Sequence, residues 1–170
     1  KIKIGNLEIS EDKPTFIIAE IGINHEGNYK KCLELINNAK LAGANGIKLQ
    51  LSKPEYNYDH NSESFKIYKK SEFSLIQIKK LYEYAKKKKI ILFSTMDYYY
   101  FKKIKFKQKI YKISSSQFND LSLIKNILKK NKPLLISTGM SNTSEVVTLS
   151  KFLKKKSKII FMHCISKYPL

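Results

Sequence analysis

An α/β fold of parallel strands is predicted by three observations. Short apolar runs alternate with amphipathic stretches along the whole chain, the pattern of successive βα units. The runs are apolar at odd and even positions alike, as in strands covered on both faces. Polar side chains gather where each run ends, and in parallel α/β folds those strand ends form the ligand face. Six such units fit an open doubly wound sheet or a (β/α)8 TIM-type barrel. A closed barrel takes about 250 residues and rarely fewer than about 200. The pattern is still running at Lys167-Tyr168-Pro169-Leu170, in what should be the loop after the sixth strand. The expectation is therefore an incomplete barrel over residues 1–170, truncated after about six strands, with an N-terminal β-hairpin over residues 1–10.

The hairpin rests on Gly5-Asn6, a two-residue turn signal between Lys1-Ile2-Lys3-Ile4 and Leu7-Glu8-Ile9-Ser10. Residues 16–22 read as the first strand. A helix over 29–41 follows, with Cys32, Leu35, Ile36 and Ala39 at helical spacing and Gly43 as its stop. Residues 46–52 read as the second strand. The polar, Tyr- and Asn-rich stretch 53–70 reads as a long loop with at most a short helix. Ser71 is the expected cap of a helix over 72–88, which carries Phe73, Ile76, Leu81 and Tyr84. The third strand is expected at 90–95, a short helix near 98–106 and the fourth strand at 109–114. A helix over 120–130 and a fifth strand at 133–138 come next. Asn142 with Glu145 resembles a capping box opening a helix to residue 155, and the sixth strand covers 158–163.

Composition excludes several classes. With 42% hydrophobic residues in 170, the chain can bury a core, so whole-chain disorder is not expected. No apolar run approaches a membrane span, and residues 1–6 do not resemble a secretory signal. Two cysteines, Cys32 and Cys164, make no disulfide framework, and a reducing, cytoplasmic location fits best. The net charge of +19 invites a polyanion partner, but all 33 basic residues are Lys. Without Arg there is no bidentate fork for bases or phosphates, and a solvated lysine surface is the favoured reading over nucleic acid.

Chemistry is expected at the strand ends. Glu20 closes the first strand, and Lys48 and Gln50 share one face of the second. Thr95 closes the third, Lys112 and Ser115 mark the fourth, and Ser137 and Thr138 mark the fifth. His163, Ser166 and Tyr168 follow the sixth. Lys48 and Lys112 sit inside apolar runs, where an ammonium is costly unless an anion or fixed dipoles compensate it. Two such lysines could form an anion site, or one could be a Schiff-base nucleophile, or each could snorkel or pair with Glu20. His25, in the Gly-flanked loop 22–28, either approaches a ligand or shapes the loop. Gly139 could let backbone amides approach an anion, or serve as a plain turn. His163 reads as a hydrogen-bonded core histidine, His60 as a residue without a specific role, and Cys32 as a small core residue. Adjacent His163 and Cys164 are not expected to form a dyad, because their side chains diverge in a strand.

Taken in order, Phe16-Ile17-Ile18-Ala19-Glu20-Ile21-Gly22-Ile23-Asn24-His25-Glu26-Gly27, Ile47-Lys48-Leu49-Gln50, Phe93-Ser94-Thr95, Tyr111-Lys112-Ile113-Ser114-Ser115, Leu135-Ile136-Ser137-Thr138-Gly139-Met140 and His163-Cys164-Ile165-Ser166-Lys167-Tyr168-Pro169 resemble the N-acetylneuraminate (sialic acid) synthase family. The resemblance implies a (β/α)8 barrel followed by a small antifreeze-like domain that this chain lacks. It implies condensation of phosphoenolpyruvate with an N-acylated amino sugar such as N-acetylmannosamine, giving a sialic-acid-type nonulosonate and phosphate. Carried over by motif, Lys48, Thr95, Lys112, Ser115 and Ser137 would hold phosphoenolpyruvate. Glu20 and Gln50 would line the reacting centre, and Ser166 and Tyr168 would contact the sugar, so that Glu20, Lys48 and Lys112 are the candidate catalytic residues. The family's Mn2+ or Mg2+ would take its ligands outside this chain. A homodimer is implied at full length, and the chain alone is expected to be inactive. The chain departs from the pattern at Gln117, where an acid is expected, at Met96, where Pro is usual, and at Ser166, where Asn also occurs. A Schiff-base aldolase using Lys48 or Lys112, and a non-catalytic polyanion-binding barrel remnant, are the alternatives.

Overall fold

The structure, a computed structural model, describes residues 1–153 and 158–167. The chain divides into two compact units, Thr15–Lys107 on the one hand and Lys1–Pro14 with Gln108–Leu170 on the other.

In the 15–107 unit, strands β3 (Ile18–Gly22), β4 (Gly46–Leu51) and β5 (Ile91–Met96) pair in parallel. They alternate with helices α1 (Tyr29–Leu41) and α4 (Leu75–Lys87). The first strand is two residues shorter than the sequence suggests. Asn45 draws the Ile17 N–H to its side-chain Oδ1 at 2.8 Å, so the ladder begins at Ile18. Every residue of β5 is buried, as expected for a strand covered on both faces. Ile47, Leu49 and Leu51 of β4 pack in one buried cluster with Cys32 and Ile36 of α1 and with Ile78, Leu81 and Ala85 of α4. Each fully buried Leu or Ile contributes about 1.5–3 kcal/mol, and Leu81→Ala would cost about 2–5 kcal/mol.

The stretch expected to be a loop holds two helices, α2 (Pro54–Asn57) and α3 (Glu63–Lys70). Pro54 opens α2, where its missing N–H costs nothing, and Ser62 caps α3 by accepting the Phe65 N–H. The expected cap of α4 is also corrected. Ser71 is the C-cap of α3, and its hydroxyl donates back to the Ile67 carbonyl. Ser74 caps α4 in a full capping box with Gln77, with Phe73 and Ile78 of the buried cluster at the hydrophobic-staple positions. Helix α5 (Tyr98–Lys103) is capped by Asp97 and ends three residues earlier than expected, at the C-cap Ile104.

In the other unit, β1 (Ile2–Ile4) and β2 (Leu7–Ile9) form the expected antiparallel hairpin, with Gly5 at φ +61° in its turn. Strands β6 (Tyr111–Ile113), β7 (Leu134–Ser137) and β8 (Ile159–Met162) pair in parallel. A 3-10 turn (Ser115–Gln117) and helix α6 (Leu121–Leu128) link the first two, and α7 (Thr143–Leu153) links the last two. Asn142 and Glu145 form the expected reciprocal cap: the Asn142 N–H donates to Glu145 Oε2, and the Glu145 N–H to Asn142 Oδ1. The predicted end of α7 at residue 155 lies outside the described residues.

Candidate functional site

In the 15–107 unit the pleat brings together the residues expected at the strand ends. Parallel register pairs Glu20 with Lys48 and Gln50 with Thr95, so all four project from the same face. Lys48 Nζ meets Glu20 Oε2 at 2.9 Å, and the Lys48 side chain is far less exposed (14%) than that of Glu20 (55%). Pairing with Glu20, one of the three readings open to Lys48, is therefore the contact it makes. The β-bulge between Glu20 and Gly22 helps to aim the carboxylate: Gly22 takes φ +56°, and a Cβ there would sit 3.3 Å from Glu20 Oε1. Thr95 is buried, and its Oγ1 has no hydrogen-bond partner among the described residues. Gln50 Nε2 donates to the Tyr68 hydroxyl at 2.7 Å.

The loop after β3 is shaped by His25. The ring is wholly buried and stacks on Phe73, with centroids 4.3 Å apart, and Nδ1 accepts the Gly27 N–H at 3.1 Å. Burial, helped by nearby Lys31, lowers its pKa to about 4, so the imidazole is neutral at pH 7. Nε2 finds no partner among the described residues. Gly27, at φ +76°, lies so close to α3 that a Cβ would fall 2.1 Å from the Lys70 carbonyl oxygen. Of the two readings for His25, loop shaping is the one these contacts support.

A charged cluster, which the sequence reading missed, holds the α2–α3 segment. Lys53 Nζ meets Glu72 at 2.5 Å and Glu55 at 3.4 Å, and Lys69 Nζ meets Glu55 at 2.5 Å and Glu72 at 2.9 Å. The Tyr100 hydroxyl donates to Glu72. Asp97 caps α5 while accepting the Lys53 N–H and the Asn57 amide. Hydrogen bonding from Lys69 pulls the Glu55 carboxyl down to about 2. Burial alone would raise the Glu72 carboxyl, but hydrogen bonds from Lys53 and Lys69 outweigh it and hold the group below its usual range. The spacing of Glu55, Lys69 and Glu72 around two short helices was the available signal.

In the other unit, Lys112 and Ser137 lie on one face of adjacent strands, since Lys112 pairs in register with Leu135. Lys112 is buried, and its ammonium donates to the Ile113 carbonyl at 2.7 Å and to Ser137 Oγ. The Cys164 thiol donates to the same Ser137 oxygen at 3.3 Å. Ser115 Oγ accepts the Gly139 N–H at 3.2 Å. A Cβ at Gly139 would meet Ser166 Oγ at 2.9 Å, so this glycine provides space as well as a turn. Thr138 turns its hydroxyl to the Met162 carbonyl. Gln117 accepts from both the N–H and the hydroxyl of Ser114, an end-capping task that Gln performs as well as Glu. His163 is exposed, not a core histidine, because β8 ends at Met162. His60 stacks on Phe65 at 4.5 Å, a specific contact the sequence did not suggest. Cys32 is a core residue as expected, its thiol pushed up to about 12 by burial. Tyr168 lies outside the described residues.

Among the described residues no three His, Cys, Asp or Glu side chains come together as a metal site. On the reading above, the Mn2+ or Mg2+ takes its ligands outside this chain, and no residue here is assigned to it. Among the described residues no helix is long and apolar enough to cross a membrane.

Residues 35–170 match the NeuB family. The chain belongs to that family. It is 32% identical over 188 residues to the pseudaminic acid synthase of Campylobacter jejuni strain 81-176, covering 99% of this chain and 54% of that protein. It is 30% identical over 186 residues to the spore coat polysaccharide biosynthesis protein SpsE of Bacillus subtilis, covering 98% and 49%. The crystal structure of an N-acetylneuraminic acid (sialic acid) synthetase from Leptospira borgpetersenii, in complex with citrate, superposes with a TM-score of 0.91 at 35% identity, covering 99% of this chain and 60% of that one. The chain thus spans about half the length of the curated relatives it matches.

Proposed function

We propose that the protein containing this chain condenses phosphoenolpyruvate with an N-acylated amino sugar, forming a sialic-acid-type nonulosonate and releasing phosphate. The six parallel βα units are, on this reading, part of an eight-unit barrel. The observation that carries the proposal is the buried Lys112 ammonium, held at a strand end by Ser137 in a member of the NeuB family. A buried ammonium beside hydroxyl-bearing strand ends suits a compact anion.

In the proposed reaction the enol carbon of phosphoenolpyruvate forms a C–C bond with the sugar aldehyde carbon, and the aldehyde oxygen gains a proton. Water adds to the resulting cationic carbon, and phosphate then departs with its C–O bond electrons. Lys48, Thr95, Lys112, Ser115 and Ser137 are assigned as donors to the anion. The unpartnered Thr95 hydroxyl supports this assignment, since a buried hydroxyl without a partner costs about 1–3 kcal/mol. Glu20 and Gln50 are assigned to the reacting centre, and Ser166 and Tyr168 to the sugar. The names of the relatives support this substrate class.

The test supplies phosphoenolpyruvate with N-acetylmannosamine, or with the diacylated amino sugars of the legionaminic and pseudaminic routes, together with Mn2+ or Mg2+. Phosphate release matched by a nonulosonate in the mass spectrum is expected. No release from any such mixture would overturn the proposal. Borohydride treatment with pyruvate should trap no adduct; a stable adduct on Lys48 or Lys112 would favour a Schiff-base aldolase instead.

A further inference from the structure

In the 15–107 unit, the end opposite Glu20, Lys48, Gln50 and Thr95 carries lysines without matching carboxylates. Helices α1 and α4 run back from the strand ends, and each closes a few residues before the next strand begins, so their C-termini share this end. The Tyr84 hydroxyl donates to Asn37 Oδ1 at 2.9 Å and joins the two helices one turn before they stop. One turn further on, at i+4, stand Lys88 and Leu41, which are therefore neighbours. Phe106 packs on Tyr82 at 4.7 Å, one turn before Lys86, and brings Lys105 and Lys107 to the same end. Lys40, the lysine run 86–89, Lys105 and Lys107 are all exposed, and none joins an ion pair among the described residues. Of the carboxylates in this unit, only Glu34 and Glu83 are carried by α1 and α4; every other stands at a strand end or between a strand end and the next long helix or α5. Glu83 faces Lys79 at 3.9 Å. The helix dipoles account for lysine in the last turns of α1 and α4, but not for Lys105 or Lys107. Nor do they account for Leu41, which is 84% exposed beside these charges.

We propose that this end of the unit docks on an anionic phospholipid bilayer, with Leu41 entering the headgroup layer and the lysines facing lipid phosphates. Lysine is a hydrated point charge without a fork, suited to a diffuse plane of anions rather than to reading one group. The Tyr84 ring is covered by Lys88 Nζ at 5.4 Å, and Phe106 is taken by Tyr82, so neither is a platform for stacked bases. An exposed leucine among lysines gains from a bilayer interface and gains nothing from a nucleic-acid backbone. Docking by this end leaves the strand ends with Lys48 and Gln50 uncovered, and the inference stands apart from the proposed condensation.

The test sediments the full-length protein with phosphatidylcholine vesicles that contain or lack phosphatidylglycerol, at several salt concentrations. Partitioning onto the anionic vesicles alone, falling as salt rises, is expected. Each lysine near such a surface changes partitioning about fivefold, so Lys86→Gln, Lys88→Gln and Lys89→Gln combined should lower it at least about tenfold. Leu41→Ser should lower it about three- to tenfold. All four positions are exposed, so both variants should keep the wild-type Tm, which separates lost docking from lost folding. No partitioning onto phosphatidylglycerol vesicles, equal partitioning onto pure phosphatidylcholine, or a lysine variant that partitions like the wild type would each overturn the proposal. So would a Leu41→Ser protein that partitions like the wild type, or displacement from the vesicles by stoichiometric RNA, the result expected of a nucleic-acid surface.

Discussion

Glu20 and Lys48 are register partners on adjacent parallel strands, and their charges meet at 2.9 Å. The carboxylate is half exposed, so the pair itself adds at most about 1 kcal/mol to stability. Glu20→Gln should therefore leave the urea midpoint almost unchanged. Lys48→Met keeps the buried stem and removes the charge. It should weaken phosphoenolpyruvate binding, read by calorimetry, by about 1.5–3 kcal/mol, roughly 10- to 150-fold. Unaltered affinity would remove Lys48 from the anion site.

Lys112 separates stability from function more sharply. Replacing a buried charge with an apolar side chain of similar length is often neutral or stabilising. Lys112→Met should therefore keep or raise Tm while abolishing phosphate release. Ser137→Ala does the reverse to the fold, because it leaves the buried ammonium short of an acceptor, and should cost about 1–3 kcal/mol in denaturant unfolding. A Lys112→Met protein that turned over normally would refute the role given to this residue.

The strands were legible because residues such as Ile47, Leu49, Leu92 and Phe93 are apolar whichever way they face, and strand-end polar residues stand out against them. The α2–α3 segment was not, because its helices are held by partners distant in sequence: Lys53 by Glu72, Asn57 by Asp97, and Tyr68 by Gln50. Ser71 and Ser74 are equally able to cap a helix. Only the burial of Phe73 and Ile78 selects Ser74, and burial is a tertiary fact. The ring of His25 was similarly ambiguous until Phe73 was seen beneath it.

That histidine gives a pH dependence with a definite sign. Its folded pKa of about 4 lies below the ordinary 6.5, so between those values the unfolded chain binds the proton that the folded chain refuses. The contribution is complete above pH 6.5 and lost as pH falls toward 4, by roughly 3 kcal/mol in all. Urea unfolding at intervals from pH 7.5 to 4.5 should show this slope. His25→Phe should flatten it, at the cost of about 1 kcal/mol for the acceptor taken from the Gly27 N–H. An equal slope in the variant would assign the effect to other groups.

Gly27 should be among the least replaceable positions in the chain. Ala at φ +76° is strained, and its methyl would overlap the Lys70 carbonyl. The two penalties together come to at least about 2 kcal/mol, so Gly27→Ala should lower Tm by several degrees and loosen α3 in hydrogen exchange. Normal Tm and exchange would show that the loop and helix can move apart freely.

The space left at Gly139 links two positions that the chain keeps far apart. Ser166 reaches into the volume a methyl group would need, so the size of one residue limits the size of the other. A lineage that enlarged residue 166 to Asn could do so only while 139 stayed bare, and one that placed a side chain at 139 would have to shrink or retract residue 166. The pair should thus drift in concert, each substitution conditional on its counterpart.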